Sequence, residues 1–217
     1  RQTFFSHCLA GSRTIVNLIS DPFVLQICRN FLGFDFRLKC QRYYTSGRGY
    51  QLDWHSDNKT VDNEKTEING LVFIIYLTDT YDGELQVVKG SNNWSGDSLS
   101  NDFADEELRK NYGNDILSLP GPRGSIVITD TYTIHRTRRL TTKGFERKSL
   151  FFQIDDDLLH SEKIIVNTEF LPKMDAQLQT FFGIGLPSGY KSMPVSGINT
   201  LSNKYLFTLL YSSIKQI

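Results

Sequence analysis

The sequence has no excess of either charge: 24 Lys and Arg stand against 24 Asp and Glu over 217 residues. That balance argues against nucleic acid and anionic membrane surfaces as partners, which usually demand a basic excess. Long hydrophobic runs are also missing. The longest, Leu71 to Leu77, has seven residues, against the ~20 that a helix needs to cross a bilayer, so no membrane span is expected. Cysteine is scarce and odd in number: Cys8, Cys28 and Cys40, without C-x-x-C spacing. This excludes a disulfide framework or a zinc knuckle and makes the reducing cytoplasm the expected compartment. The chain opens on Arg1 rather than Met, which leaves an upstream segment open. Internal repeats and low-complexity stretches are absent.

What is present is an ordinary globular composition, 39% hydrophobic and 22% charged, enough for a single domain over residues 1–217. Residues 1–33 read as a helical flank. Asp21-Pro22 supplies an N-cap and a first-turn proline; Phe23, Ile27 and Phe31 with Val24 and Cys28 form apolar i, i+4 rows, and Gly33 ends the helix. From Asp35 the period shortens to runs rich in Val, Ile, Phe, Tyr and Thr at 35–44, 49–57, 68–78, 84–89, 124–130, 132–140 and 146–154, with an eighth at 115–118. The separators are turn formers, such as Asp82-Gly83, Gly90-Ser91 and Lys143-Gly144. Strands without crossover helices predict an antiparallel, mainly β architecture, a jelly-roll core over 35–155 with a C-terminal flank over 156–217. The insertion at 91–123 carries a helical stretch from Asn101 to Tyr112, and its Trp94, Phe103 and Tyr112 are expected to pack on the barrel. Short helices are expected near 173–182 and 203–212.

His55 and Asp57 are two apart in a predicted strand, so both can point to one face. His135 lies on a later strand. Two imidazoles and a carboxylate suit non-haem Fe(II), because they leave three coordination positions open for a chelating ligand and O₂. An isolated H-x-D is weak, a solvated turn being the bland alternative; the second strand histidine strengthens it. Arg147 follows His135 across the Thr141-Thr142-Lys143-Gly144 turn, and a hairpin would place it opposite 137–139, ~7–13 Å from His135. A five-carbon dicarboxylate spans that gap, its far carboxylate on the guanidinium fork. Thr137 shares a face with His135 and can add a hydroxyl; Arg139 shares it too and is the rival for the same role. Gln41 and Tyr43 alternate on one face of a preceding strand and are candidates for cosubstrate or substrate contact, with a structural role as the equal alternative.

The strings Gln51-Leu52-Asp53-Trp54-His55-Ser56-Asp57 and Asp82-Gly83-Glu84-Leu85-Gln86-Val87-Val88-Lys89-Gly90-Ser91-Asn92, with His135 and Arg147-Lys148-Ser149-Leu150, resemble the phytanoyl-CoA dioxygenase family over about Phe23 to Ile154. The resemblance implies a double-stranded β-helix; Fe(II), 2-oxoglutarate and O₂ as metal and cosubstrates; and His55, Asp57 and His135 as ligands. It also implies hydroxylation of an unactivated C–H bond in a small molecule, with release of succinate and CO₂. The chain departs from the family at Lys89-Gly90-Ser91-Asn92, where Pro-Gly-Ser-His is usual. Asp57 argues against the halogenating relatives, which have a small residue there. Two other classes remain at this stage: a non-catalytic jelly-roll binding module, and a zinc isomerase or hydrolase using the same triad. Neither needs Arg147.

Overall fold

The structure, a computed structural model, describes residues 2–57, 67–94 and 103–186. The helix expected at 203–212 lies outside them. Among the described residues, eight antiparallel strands form two sheets. The larger has the order β1-β2-β8-β3-β6, from β1 (Gln2–Phe5), β2 (Arg37–Ser46), β8 (Arg147–Asp155), β3 (Gly70–Tyr76) and β6 (Ile126–Asp130). The smaller has the order β5-β4-β7, from β5 (Ile116–Gly121), β4 (Thr80–Val88) and β7 (His135–Thr137). This is the two-sheet jelly roll that the strand pattern predicts, in keeping with the double-stranded β-helix that the resemblance implies.

Alternation along β8 explains the layers. Leu150, Phe152 and Ile154 point outward into the main core with Leu38, Phe73 and Ile75, while Arg147, Ser149, Phe151 and Gln153 fall on the other face. The outward face is covered by α1 (Cys8–Gly11), α2 (Arg13–Ile19), α3 (Pro22–Leu32) and α5 (Ala176–Phe182), which supply Leu9, Val16, Ile19, Cys28 and Phe181. Phe73 and Phe152 stack at 4.7 Å. Helix α3 begins as its sequence predicts: the Asp21 carboxylate caps the Phe23 N–H, Pro22 opens the first turn, and Gly33 closes it at φ +88°. Its buried row is Val24, Leu25 and Cys28, whereas Phe23 and Phe31 stay exposed.

Three expectations change. Residues 2–5 form a strand rather than helix, because Thr3, Phe4 and Phe5 extend β2's edge from Tyr43 to Ser46. The 49–57 run is reduced to bridges at Trp54 and His55. The strands holding His135 and Arg147 do not pair: β7 pairs with β4, and β8 with β2 and β3. The turn between them is drawn away by Asp82, whose carboxylate accepts the Thr141 and Thr142 N–H groups. Helix α4 (Asp105–Tyr112) does pack on the barrel, on the outer face of the smaller sheet, where Leu108, Trp94, Phe103 and Tyr112 surround Trp54, Val88 and Ile134.

Candidate metal centre

The Trp54–His55 stretch and β7 exchange backbone hydrogen bonds, His55 N to His135 O at 3.0 Å and His135 N to His55 O at 2.9 Å. This sets the two histidines side by side, with ring centroids 4.4 Å apart. Their chain neighbours point the other way and anchor the pair from outside. The Trp54 indole N–H donates to Asp105 at 3.0 Å, Arg136 pairs with the same carboxylate at 2.9 Å, and the Arg136 guanidinium lies 4.4 Å from the Trp54 ring centroid. Both imidazoles are oriented by backbone carbonyls: His55 Nδ1 lies 2.7 Å from Asp53 O, and His135 Nδ1 2.9 Å from Thr133 O. A proton on each Nδ1 leaves each Nε2 with its lone pair for a metal.

Asp57 completes the group, and the three candidate ligand atoms lie within 4.8 Å of one another. Its N–H donates to Thr131 O at 3.0 Å. Asp57 Oδ2 is 3.5 Å from His135 Nε2, yet it is buried without a hydrogen bond among the described residues. A buried carboxylate oxygen without a donor is costly, and a cation between it and two imidazole nitrogens removes the cost. The residues therefore fit a divalent metal with open positions. Burial, and then the charge of His135, hold the His55 pKa below its ordinary value, which keeps that ring in the neutral form a metal needs.

Arg147 is 6% exposed and reaches across from the larger sheet. It donates to the Gly83 carbonyl, and lies 3.4 Å from both Thr137 Oγ1 and Ser46 Oγ. Gly83 adopts φ +70°, a conformation glycine takes without strain, at the register break within β4 between Thr80 and Leu85 that offers this carbonyl. Arg147 Nε is buried without a hydrogen-bond partner among the described residues, and burial lowers the guanidinium pKa. Among the described residues Arg147 forms no ion pair. Thr137 thus stands where the sequence puts it, although the approach is across the barrel rather than along a hairpin. Arg139 is exposed beyond the end of β7.

Gln41 and Tyr43 face the other way. A register shift at Lys39 reverses the strand's parity, so Cys40, Arg42, Tyr44 and Ser46 point to the interior. Tyr43 packs into the main core. The Gln41 amide donates to Ser6 O and accepts from Cys8 N at 3.1 Å. Gln41→Ala is therefore expected to lower unfolding stability by ~1–3 kcal/mol in urea titrations, with cosubstrate affinity unchanged. Ser46 and the Gly83 carbonyl were not legible as groups around Arg147: the bulge that turns Ser46 inward leaves no composition signal, and Gly83 acts through its backbone.

A family model described as phytanoyl-CoA dioxygenase (PhyH) matches residues 3–149. Solved structures of other proteins share the fold. HygX from Streptomyces hygroscopicus, with nickel, 2-oxoglutarate and hygromycin B bound, aligns at TM-score 0.58 and 17% identity over 75% of this chain and 73% of that one. EctD from S. alaskensis, with 2-oxoglutarate and 5-hydroxyectoine, aligns at TM-score 0.60 and 18% identity over 87% and 68%. Among curated proteins none matches. The family match covers more than half of the sequence and includes the three candidate metal ligands and Arg147: the chain belongs to the phytanoyl-CoA dioxygenase family.

Proposed function

We propose that this chain is an iron(II)- and 2-oxoglutarate-dependent oxygenase that hydroxylates an unactivated C–H bond of a small molecule, releasing succinate and CO₂. The observation that carries the reading is the pairing of the His55, Asp57 and His135 group with a buried guanidinium that forms no ion pair among the described residues. Iron(II) bound at the triad would supply the oxygen chemistry. The chain's own residues hold the reactants: Asp53 O and Thr133 O fix the imidazole tautomers, Thr137 and Ser46 brace Arg147, and Arg147 takes the distal carboxylate of the cosubstrate. HygX and EctD bind 2-oxoglutarate on the same fold, which supports the reading. A binding module or a zinc hydrolase gives no reason to bury Arg147 this way.

The test is anaerobic titration with Fe(II) and 2-oxoglutarate. A visible charge-transfer band is expected on mixing, and stoichiometric succinate on admitting oxygen. Folded protein that gives neither refutes the assignment.

A further inference from the structure

The three candidate ligands sit on two backbone segments that are held with unequal strength. β7, with His135, is laddered to β4 through Leu85, Gln86 and Val87. The 49–57 stretch carries His55 and Asp57, two of the three ligands. Among the described residues it meets β7 in one bridge, His55 with His135, with separate hydrogen bonds on either side: Leu52 N to Thr137 O at 3.2 Å and Asp57 N to Thr131 O at 3.0 Å. Each imidazole is turned by a carbonyl two residues before it. Those contacts fix how each ring is rotated, not how far apart the two rings stand.

The outer face supplies the missing tie. His55 stands opposite His135, so antiparallel pairing sets Trp54 opposite Arg136 on the reverse side. Asp105, the first residue of α4, closes over both: its Oδ1 accepts the Trp54 indole N–H at 3.0 Å and lies 2.9 Å from Arg136 Nη1. Phe103 forms a backbone bridge with Trp54 and brings the carboxylate within reach. Arg136 is also held without Asp105, because its Nε donates to Gln86 Oε1 at 2.9 Å, and Gln86 donates to Ser118 Oγ at 2.8 Å. Trp54 is the dependent partner. It is 2% exposed, with Asp105 as the acceptor for its N–H. Loss of the carboxylate strands that donor and frees the segment to turn, carrying His55 with it. The third donor to Oδ1, Arg109 Nε at 3.0 Å, lies within α4 and ties no segment to another.

We propose that Asp105 is a positioning residue of the metal centre: by joining Trp54 to Arg136 it sets the spacing of His55 and His135, and with it the affinity for the metal. The insertion at 91–123 thereby becomes part of the site. The inference rests on the triad binding a divalent metal, and not on the oxygen chemistry.

The test is titration of the folded, metal-free protein with Co(II), without cosubstrate, followed by calorimetry and by the d–d absorption of the bound ion. Asp105→Ala is expected to weaken Co(II) binding by about tenfold to a hundredfold, the usual effect of removing a group that orients a ligand, and to alter the absorption band. Asp105→Asn keeps an acceptor oxygen where the three donors converge and should retain most of the affinity. Trp54→Phe should lose affinity in the same range, and the double variant no more than the larger single loss, because both break one connection. Arg109→Ala and Gln41→Ala should bind Co(II) as the wild type does, although Gln41→Ala unfolds earlier. An Asp105→Ala protein that unfolds earlier yet binds Co(II) normally has lost a merely structural contact, and that result overturns the proposal. So do losses that multiply in the double variant, or Asp105→Asn binding as weakly as Asp105→Ala. A wild type that binds no Co(II) refutes the metal centre and this inference with it. One that binds Co(II) but gives no charge-transfer band with Fe(II) and 2-oxoglutarate counts against the oxygenase reading alone.

Discussion

Asp57→Ala is expected to abolish iron binding and turnover while leaving the metal-free protein as stable as the wild type, or more so. Asp57 Oδ2 is buried with no hydrogen-bond donor among the described residues, an arrangement that costs ~1–3 kcal/mol. Truncation removes the buried oxygen and its cost together. With iron the sign reverses: bound metal stabilises the wild type by mass action and does little for a variant lacking one of three ligands. Thermal unfolding with and without Fe(II) should therefore show a metal-dependent rise in the wild type only. Succinate release should fall by about a thousandfold or more, comparable with the loss of a catalytic group that acts as part of a unit. His135→Ala should match it in turnover without the gain in apo stability, because His135 Nδ1 is already satisfied by Thr133 O. Retained turnover in Asp57→Ala would remove the carboxylate from the ligand set.

The contrast between these two variants shows what the sequence could carry. The candidate triad was nominated by spacing, His55 two before Asp57 and His135 in a later apolar-polar run, although the strand expected to align the first two is only a pair of bridges. The orphaned oxygen was not, since it depends on what Thr131 and β7 bring near it in space. The helix from Pro22 to Leu32 was legible to the residue at its ends through Asp21, Pro22 and Gly33, yet its buried stripe was shifted, because the sheet it meets decides which face is covered. Strand parity in β2 failed at one bulge. A single extra residue at Lys39 exchanged the interior row Cys40, Arg42, Tyr44 and Ser46 for the outward row of Gln41 and Tyr43, and no local propensity marks such an insertion. The hairpin between His135 and Arg147 failed for a related reason: proximity in a jelly roll is made across the two sheets, which turn residues do not encode.

Arg147→Gln is expected to weaken 2-oxoglutarate binding by ~2–4 kcal/mol, a rise in its apparent KM of roughly thirtyfold to a thousandfold. Arg147 is 6% exposed, has a buried Nε without a partner, and among the described residues has only the Gly83 carbonyl and two hydroxyls as hydrogen-bond acceptors. Neutral acceptors do not discharge a guanidinium, and the lowering of its pKa by burial states the same imbalance. A distal carboxylate corrects it, so the energy of that contact should be large for the dicarboxylate and zero for a 2-oxo acid without the second carboxylate. The decisive measurement is the ratio of affinities for 2-oxoglutarate and 2-oxobutanoate, taken from the charge-transfer band under anaerobic conditions. Wild-type protein should prefer the diacid strongly, and Arg147→Gln should bind the two about equally. Arg147→Lys should restore little, because an ammonium group cannot present two parallel N–H donors to one carboxylate. Iron affinity should stay unchanged in both variants, since no ligand atom is touched. Arg139→Gln, altering an exposed side chain beyond β7, should leave the ratio as it is; a collapse of the preference there, with Arg147→Gln inert, would move the anchor to Arg139 and leave the burial of Arg147 without a functional cause.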